Sequence, residues 1–596
     1  MKKLGFGDGR RKLAWLLIIA VAAAAGAVWV WAQSLSQTAS ARPLTMAAML
    51  PQGPLLSIES PDFHALLHDW ESSPEESAWI KSDNYGVFAR SRLFGRLQDA
   101  QKDFAAAAGV TPDEKFLDEI AGTNSIFAWY DIGKLEFLYI TRMPAGRAEQ
   151  TRLMQSRSNF SQRQVGGSTF YVRTRGDDPK TVAFALSGDY LLLATREDLM
   201  ASALALIAGT SSDSLATEPW FVDIGKSASA SPQEPALRMA LNLDRIVKTP
   251  YFRSYWVQQN VTEMKQYRAA LSDLYREPTQ MREERVLLPK VADDPGASQS
   301  DLGDLVAIVP PHASVYRALF TGDVDVAMTA LDEKLLRRGI SPTRDSKIAP
   351  EADLDEENVG SANDLETRID TATPLAVNTE GRLSLLRKQA IQAGIAAVLT
   401  VDSTQRGDSD PDGTSTSMWV PLHSAVVIRA QKPWDQSALE TGFVEAMKSE
   451  LSAGDLGLKW TRQAEGYVSL GKLRPFQFAV VGNLLLVTDD AGMMRTMLAR
   501  ARDGSRAPVP AKLVAEFDHD AAAPPFARLS ALLDKTSVVA HATGPAVTPS
   551  DGSGPAFFSG NLRGLSDAFA GIKSERIIER VDGGVTRQTL TYVWQR

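Results

Sequence analysis

Cysteine is absent from all 596 residues. No disulfide can staple the fold even in an oxidising compartment, and thiolate metal sites, iron–sulfur clusters and cysteine nucleophiles are excluded. Histidine is scarce as well, with His64, His68, His312, His423, His519 and His541 the whole supply of imidazole. The chain has no Gly-x-Ser-x-Gly elbow and no Gly-x-Gly-x-x-Gly dinucleotide turn. Gly225-Lys226-Ser227 ends like a phosphate loop, but Trp220 stands where the first glycine is required. Excess positive charge is missing too: the formal net charge is −8, and residues 1–12 contribute +4, so the remainder carries −12. A body that acidic is a poor binder of nucleic acid or other polyanions.

One absence is informative by its length. From Leu13 to Ala32 no residue is charged, directly after Lys2, Lys3, Arg10, Arg11 and Lys12. A helix of about 20 residues at ~1.5 Å per residue is about 30 Å long, the hydrocarbon thickness of a bilayer. The spacing therefore predicts a transmembrane anchor over 13–32, with the basic segment 1–12 in the cytoplasm and the rest of the chain outside. A cleaved signal peptide has a shorter apolar core of about 7–15 residues, though Val30-Trp31-Ala32 and Ala39-Ser40-Ala41 leave cleavage open.

Beyond it, 33–43 reads as a polar tether and the folded part begins near residue 44. With 44% hydrophobic and 23% charged residues, the composition is that of a globular protein. Phe137–Ile140, Phe170–Val172 and Leu191–Leu193 read as strands, and 254–276 as a long helix, from Val257, Val261, Met264, Tyr267, Leu271 and Leu274 at intervals of three and four.

The chain resembles itself. Phe184-Ala-Leu-Ser-Gly188-Asp returns as Phe478-Ala-Val-Val-Gly482-Asn, each reading as a hairpin with a helix after it. Flanking pieces pair in the same order: Leu135–Pro144 with Ser424–Pro433, Leu50-Pro51 with Val309-Pro310, and Asn242-Leu243 with Asn561-Leu562. The expected architecture is α+β: the anchor, then two related lobes at 44–290 and 303–596, joined by a linker at 291–302. Each lobe is expected to have its own antiparallel or mixed sheet covered by helices. The acidic stretch at about 340–373 reads as a disordered insertion in the second lobe.

Tyr130-Asp-Ile-Gly-Lys-Leu-Glu-Phe-Leu-Tyr139, Arg90-Ser-Arg-Leu-Phe94 and the Gly188 hairpin carry a family resemblance. On these residues the chain resembles an uncharacterised family of single-pass, membrane-anchored bacterial envelope proteins, known as a domain of unknown function. The resemblance implies a bacterial inner-membrane setting with the bulk of the chain periplasmic, and it brings no catalytic residues.

Candidate sites are few. His64-Ala-Leu-Leu-His68 has zinc-binding spacing, but Ala65 occupies the place of the metalloprotease glutamate. Asp408, Asp410 and Asp412 with Gly413 open like an EF-hand loop, but the twelfth position is Trp419. Both patterns read as solvated polar faces, so no catalytic, cofactor or metal site is assigned. The function expected is a non-enzymatic scaffold that binds a protein partner of the envelope, held to the lipid bilayer by 13–32. The alternative is a carrier or sensor of an apolar ligand such as a lipid, and the lowest-ranked reading is a hydrolase with a dispersed carboxylate pair.

Overall fold

A computed structural model describes residues 45–71, 92–175, 180–228, 231–249, 264–291, 300–336 except 312, 381–403, 423–451, 459–470, 475–521 except 505, and 571–594, with 73, 76 and 80. Among the described residues no helix is long and apolar enough to cross a membrane. The expected anchor at 13–32, the segments 1–12 and 33–43 and the acidic stretch at 340–373 lie outside them.

Tight hairpins set the pattern. Gly188 (φ +59°) and Gly482 (φ +60°) each take the first central place of a two-residue turn, because Ser187 pairs with Tyr190 and Val481 with Leu484. That place in a type II′ turn needs positive φ, which glycine adopts without steric cost. The strands are β1 (Leu56–Asp62), β2 (Thr123–Asp131), β3 (Glu136–Arg142), β4 (Ser161–Val165), β5 (Ser168–Arg175), β6 (Lys180–Ser187), β7 (Tyr190–Ala194), β8 (Leu237–Asn242), β9 (Tyr267–Arg276) and β10 (Gln280–Pro289). Then follow β11 (Ser300–Asp301), β12 (Val315–Phe320), β13 (Ile395–Ser403), β14 (His423–Ala430), β15 (Trp460–Arg462), β16 (Val468–Leu470), β17 (Phe476–Val481), β18 (Leu484–Thr488), β19 (Pro510–Ala511), β20 (Leu513–Asp518), β21 (Ile572–Asp582) and β22 (Val585–Trp594).

Twenty of these form one continuous antiparallel sheet. The first half runs β4-β5-β6-β7-β3-β2-β1-β8-β9-β10. Strand β10 then pairs with β22, and the second half runs β22-β21-β20-β12-β13-β14-β18-β17-β16-β15. The order reads the same from either edge, so β4 to β10 match β15 to β22 place by place. The expected fold class is thereby corrected. There are not two lobes with separate sheets covered by helices; one strand-dominated sheet crosses the whole fold, and β10 against β22 is where the halves become continuous.

Three local readings are corrected as well. Tyr267–Arg276 is strand β9, not the end of a long helix. It alternates Ala269, Leu271, Asp273 and Tyr275 onto one buried face, and it is paired on both sides, by β8 and β10. Two ladders outweigh a helical spacing that runs through only part of its length. Asn242, which caps the short helix after β8 through Arg245 N–H (3.1 Å), matches Asp518 at the end of β20, which accepts from Ala521 N–H (3.0 Å). Asn561 lies outside the described residues. In the ladders Arg142, opposite Tyr190, matches Arg429, opposite Leu484, which moves the β3/β14 correspondence by two residues.

Each half of the sheet carries helices on both faces, while most of β10, β21 and β22 at the junction is only half-buried. On one face, the helices Glu197–Ile207 and Pro219–Lys226 pack on the first half and Ala491–Asp503 on the second. The other face carries the helices Arg92–Ala108 and Glu114–Ile120 in the first half, and Ser384–Ala393 and Gln436–Leu451 in the second.

At the junction the sheet is polar. Glu59, Arg238, Asp273, Glu284 and Thr589 stand opposite one another across β1, β8, β9, β10 and β22. Arg238 forks onto the buried Asp273 carboxylate (2.5 and 2.6 Å), and Thr589 Oγ1 donates to Glu284 (2.9 Å). Burial pushes the Glu59 carboxyl up to about 7, with Glu234 and Asp273 adding to the rise and Arg238 opposing it. The native state therefore keeps this proton to higher pH than the unfolded chain does. Stability should fall as pH rises from about 4.5 to about 7 and then level off, and Glu59→Gln should remove that part of the fall. Denaturant midpoints measured across this range check it; identical pH profiles for the two proteins would contradict the assignment.

Candidate functional site: an aromatic cleft on the first half

Alternation along β2 builds the site. Ile126 and Ala128 are buried on one face of the sheet, while Ser125, Phe127 and Trp129 line the other. Phe137 and Tyr139 of β3 stand opposite Trp129 and Phe127 on that same side. The rings pack on one another, Phe127 edge-on to Trp129 with centroids 5.7 Å apart and tilted against Phe137 at 5.2 Å.

The cover is fixed by a helix cap. Asp113 accepts from Phe116 N–H (2.8 Å) at the start of Glu114–Ile120, which turns Phe116 and Ile120 inward and leaves Leu117 at the rim. Arg152 ties this helix at both ends, to Asp113 (2.6 Å) and to Glu119 (2.9 Å). The Arg152 hydrogen bond and the Phe116 N–H both hold the Asp113 carboxyl below its usual range. The helix Arg92–Ala108 adds Phe94, Leu97 and Phe104. Between cover and sheet lies a cleft of about 1310 Å³, larger than a typical small-molecule pocket of about 300–1,000 Å³.

Several polar groups in the cleft have protein partners, while Trp129 Nε1 is buried without one among the described residues. Tyr139 OH donates to Ile120 C=O (3.1 Å) and lies 3.3 Å from Ser125 Oγ, which is itself 2.6 Å from Thr141 Oγ1. Burial pushes the Tyr139 hydroxyl pKa up. Glu136 is held by Arg196 (2.9 Å) and Asp99 by Lys102 (3.0 Å). What the arrangement offers a ligand is mainly apolar surface.

The matching place in the second half is filled. Strand pairing puts Thr400 and Asp402 where the first half has Phe127 and Trp129. Asp402 accepts from Ser424 Oγ (2.8 Å) and pairs with Lys334 (2.6 Å). Leu386, Leu439, Phe443 and Met447 lie buried against Phe476 and Phe478. A Cβ at Gly442 would come within 2.8 Å of the Leu386 side chain, so glycine there lets the two covering helices close together.

The residues singled out by sequence spacing lie elsewhere. His64 and His68 share the helix Phe63–Glu71, where His64 Nε2 is 3.2 Å from Asp118 Oδ1 on an exposed surface. Among the described residues no group of three or more histidines and carboxylates is placed to hold a metal. Asp408, Asp410 and Asp412 lie outside the described residues. Lys226 ends a helix, and Ser227 Oγ donates to Asp223 C=O (3.1 Å) just after it. Sequence spacing does not reveal the cleft, although Phe127-x-Trp129 and Phe137-x-Tyr139 mark its floor by two-residue alternation.

No family model and no curated protein matches this chain. Among solved structures it is similar to crystal form I of TP0453, at 14% identity over 43% of this chain and 82% of that one, with a TM-score of 0.23. Crystal form III of TP0453 is similar at 11% identity over 42% and 82%, with a TM-score of 0.22. Scores that low carry no argument about fold or function.

One backbone feature of the cleft is strained. The β2–β3 loop is held by Asp131, which accepts from Gly133 N–H (2.8 Å) and Lys134 N–H (3.0 Å), and Leu135 closes it at φ +54° while lining the cleft. A leucine in the left-handed region costs about 1–2 kcal/mol. Leu135→Gly should raise the denaturant midpoint, a gain of about 0.5–1 kcal/mol. A lowered midpoint would show that the loop is not strained.

Proposed function

We propose that this protein is a non-enzymatic carrier or sensor of an apolar ligand, such as the acyl chain of a lipid, anchored in a bacterial inner membrane by 13–32 with its fold on the periplasmic side. The observation that carries the reading is the contrast within one sheet. The same strand frame is plugged by Phe443 and its neighbours in one half and left as an aromatic-walled cleft in the other. Open apolar surface lowers stability relative to a filled core, at about 25 cal/mol per Å² left uncovered, so a cleft of this size is retained against that cost. The scaffold reading expected from sequence alone rests on anchor and repetition; the cleft favours the carrier.

Binding of a fluorescent fatty acid to the full chain, kept soluble in an amphipathic polymer, tests this. Saturable binding of one probe per chain is expected, displaced by unlabelled fatty acid. Ile58 lines the cleft from β1, and Ile58→Trp should fill it and weaken binding about tenfold or more without lowering the denaturant midpoint. Non-saturable uptake, or unchanged affinity in Ile58→Trp, would contradict the reading.

A further inference from the structure

The join between the halves carries a polar hollow of about 530 Å³. The first half brings Asp223, Lys226, Arg268 and Lys290 to it, and the second half brings the β21–β22 turn, Gly583-Gly584. A bulge sets Arg268 in place. Leu288 pairs with Ala269 and Pro289 with Tyr267, so Arg268 is the extra residue on β9. An extra residue re-aims the side chains around it. Arg268 Nη1 thereby reaches the Asp223 carboxylate (3.0 Å) on the helix Pro219–Lys226, whose Phe221 and Ile224 share a core with Ala269. Lys290 N–H donates to Gln266 C=O (2.8 Å), which holds the end of β10 beside the start of β9. Across the join, Gly583 (φ +59°) and Gly584 (φ +76°) close a two-residue turn between Asp582 and Val585. The turn brings backbone without side chains, and a Cβ at Gly583 would meet nothing within 4 Å. Arg587 ties the same hairpin to the helix end through Ser227 C=O (2.8 Å).

Charge in the hollow is one-sided. Lys226, Arg268 and Lys290 line it against the single carboxylate of Asp223, in a body whose formal charge is −12. Asp223 is shared, 3.0 Å from Arg268 and 3.9 Å from Lys226, while Lys290 has Asp244 at 2.9 Å from outside the lining. A guanidinium fork beside two ammonium groups matches a dianion with several oxygens. We propose that this hollow binds a phosphoryl group, free or on a lipid headgroup, clamped between the two halves. The three cations supply charge-assisted hydrogen bonds to its oxygens, and the glycine turn lets it approach the second half closely. The site is independent of the cleft and of the carrier reading.

Calorimetric titration of the full chain in nonionic detergent with glycerol 3-phosphate tests it. Saturable binding of one molecule per chain is expected, weakened about tenfold or more by Arg268→Gln and by Lys226→Glu. Lys226 is 71% exposed, so its replacement keeps the fold. The control is Lys388→Glu, at an exposed position of the helix Ser384–Ala393, which should leave the affinity unchanged. Absence of saturable binding, or equal weakening by Lys388→Glu, overturns the site. Dihexanoyl phosphatidic acid distinguishes the two sources of the phosphoryl group. Affinity equal to that of glycerol 3-phosphate supports a free phosphate ester, and binding at least about tenfold tighter that is lost in Lys226→Glu supports a lipid headgroup.

Discussion

The ladder between β10 and β22 is the constraint on which the rest of this fold depends. Its eight register pairs, from Gln280 opposite Val593 to Leu287 opposite Thr586, join the middle of the chain to its C-terminal strand. Without it each half would present a long free edge of unpaired N–H and C=O groups. With it, the edges among the described residues fall to the short strands β4 and β15, and the polar row from Glu59 to Thr589 is lined up across the join. Arg587 extends the coupling beyond the sheet by donating to Ser227 C=O (2.8 Å) at the end of a first-half helix.

One strand frame thus carries two different covers. In the second half, Gly442 allows the helices Ser384–Ala393 and Gln436–Leu451 to approach closely, and Phe443 fills the space beneath them. In the first half the helices Glu114–Ile120, capped by Asp113, and Arg92–Ala108 lie on this face, and the space between them and β2 and β3 stays open. The change from Phe127 and Trp129 to Thr400 and Asp402 follows the same division. Aromatic walls suit the half that is open, and a paired carboxylate suits the half where Lys334 can reach it.

Much of the strand frame was legible in the sequence because hairpins are local. Gly188 and Gly482 mark two turns of one type, and the apolar runs Phe137–Ile140, Phe170–Val172 and Leu191–Leu193 all lie in strands. What stayed hidden is non-local. Nothing in 280–289 announces a partner some 300 residues away, so one sheet reads as two lobes. Tyr267, Leu271 and Leu274 fit a helical interval as well as a strand one, and only the neighbours β8 and β10 decide between them. The cleft was hidden for a related reason: Phe127, Trp129, Phe137 and Tyr139 have the same alternation as any buried strand pair, and an open space among them depends on how far a distant helix stands off.

On the proposed carrier reading, the first half alone holds the apolar ligand. Irradiating the full-length protein in its membrane with a diazirine-bearing fatty acid, then mapping the labelled peptides, locates the ligand. Competable adducts on peptides containing Phe127–Trp129 and Phe137–Tyr139 are expected. Labelling that falls on the helix Gln436–Leu451, or is spread evenly over both halves, would contradict it.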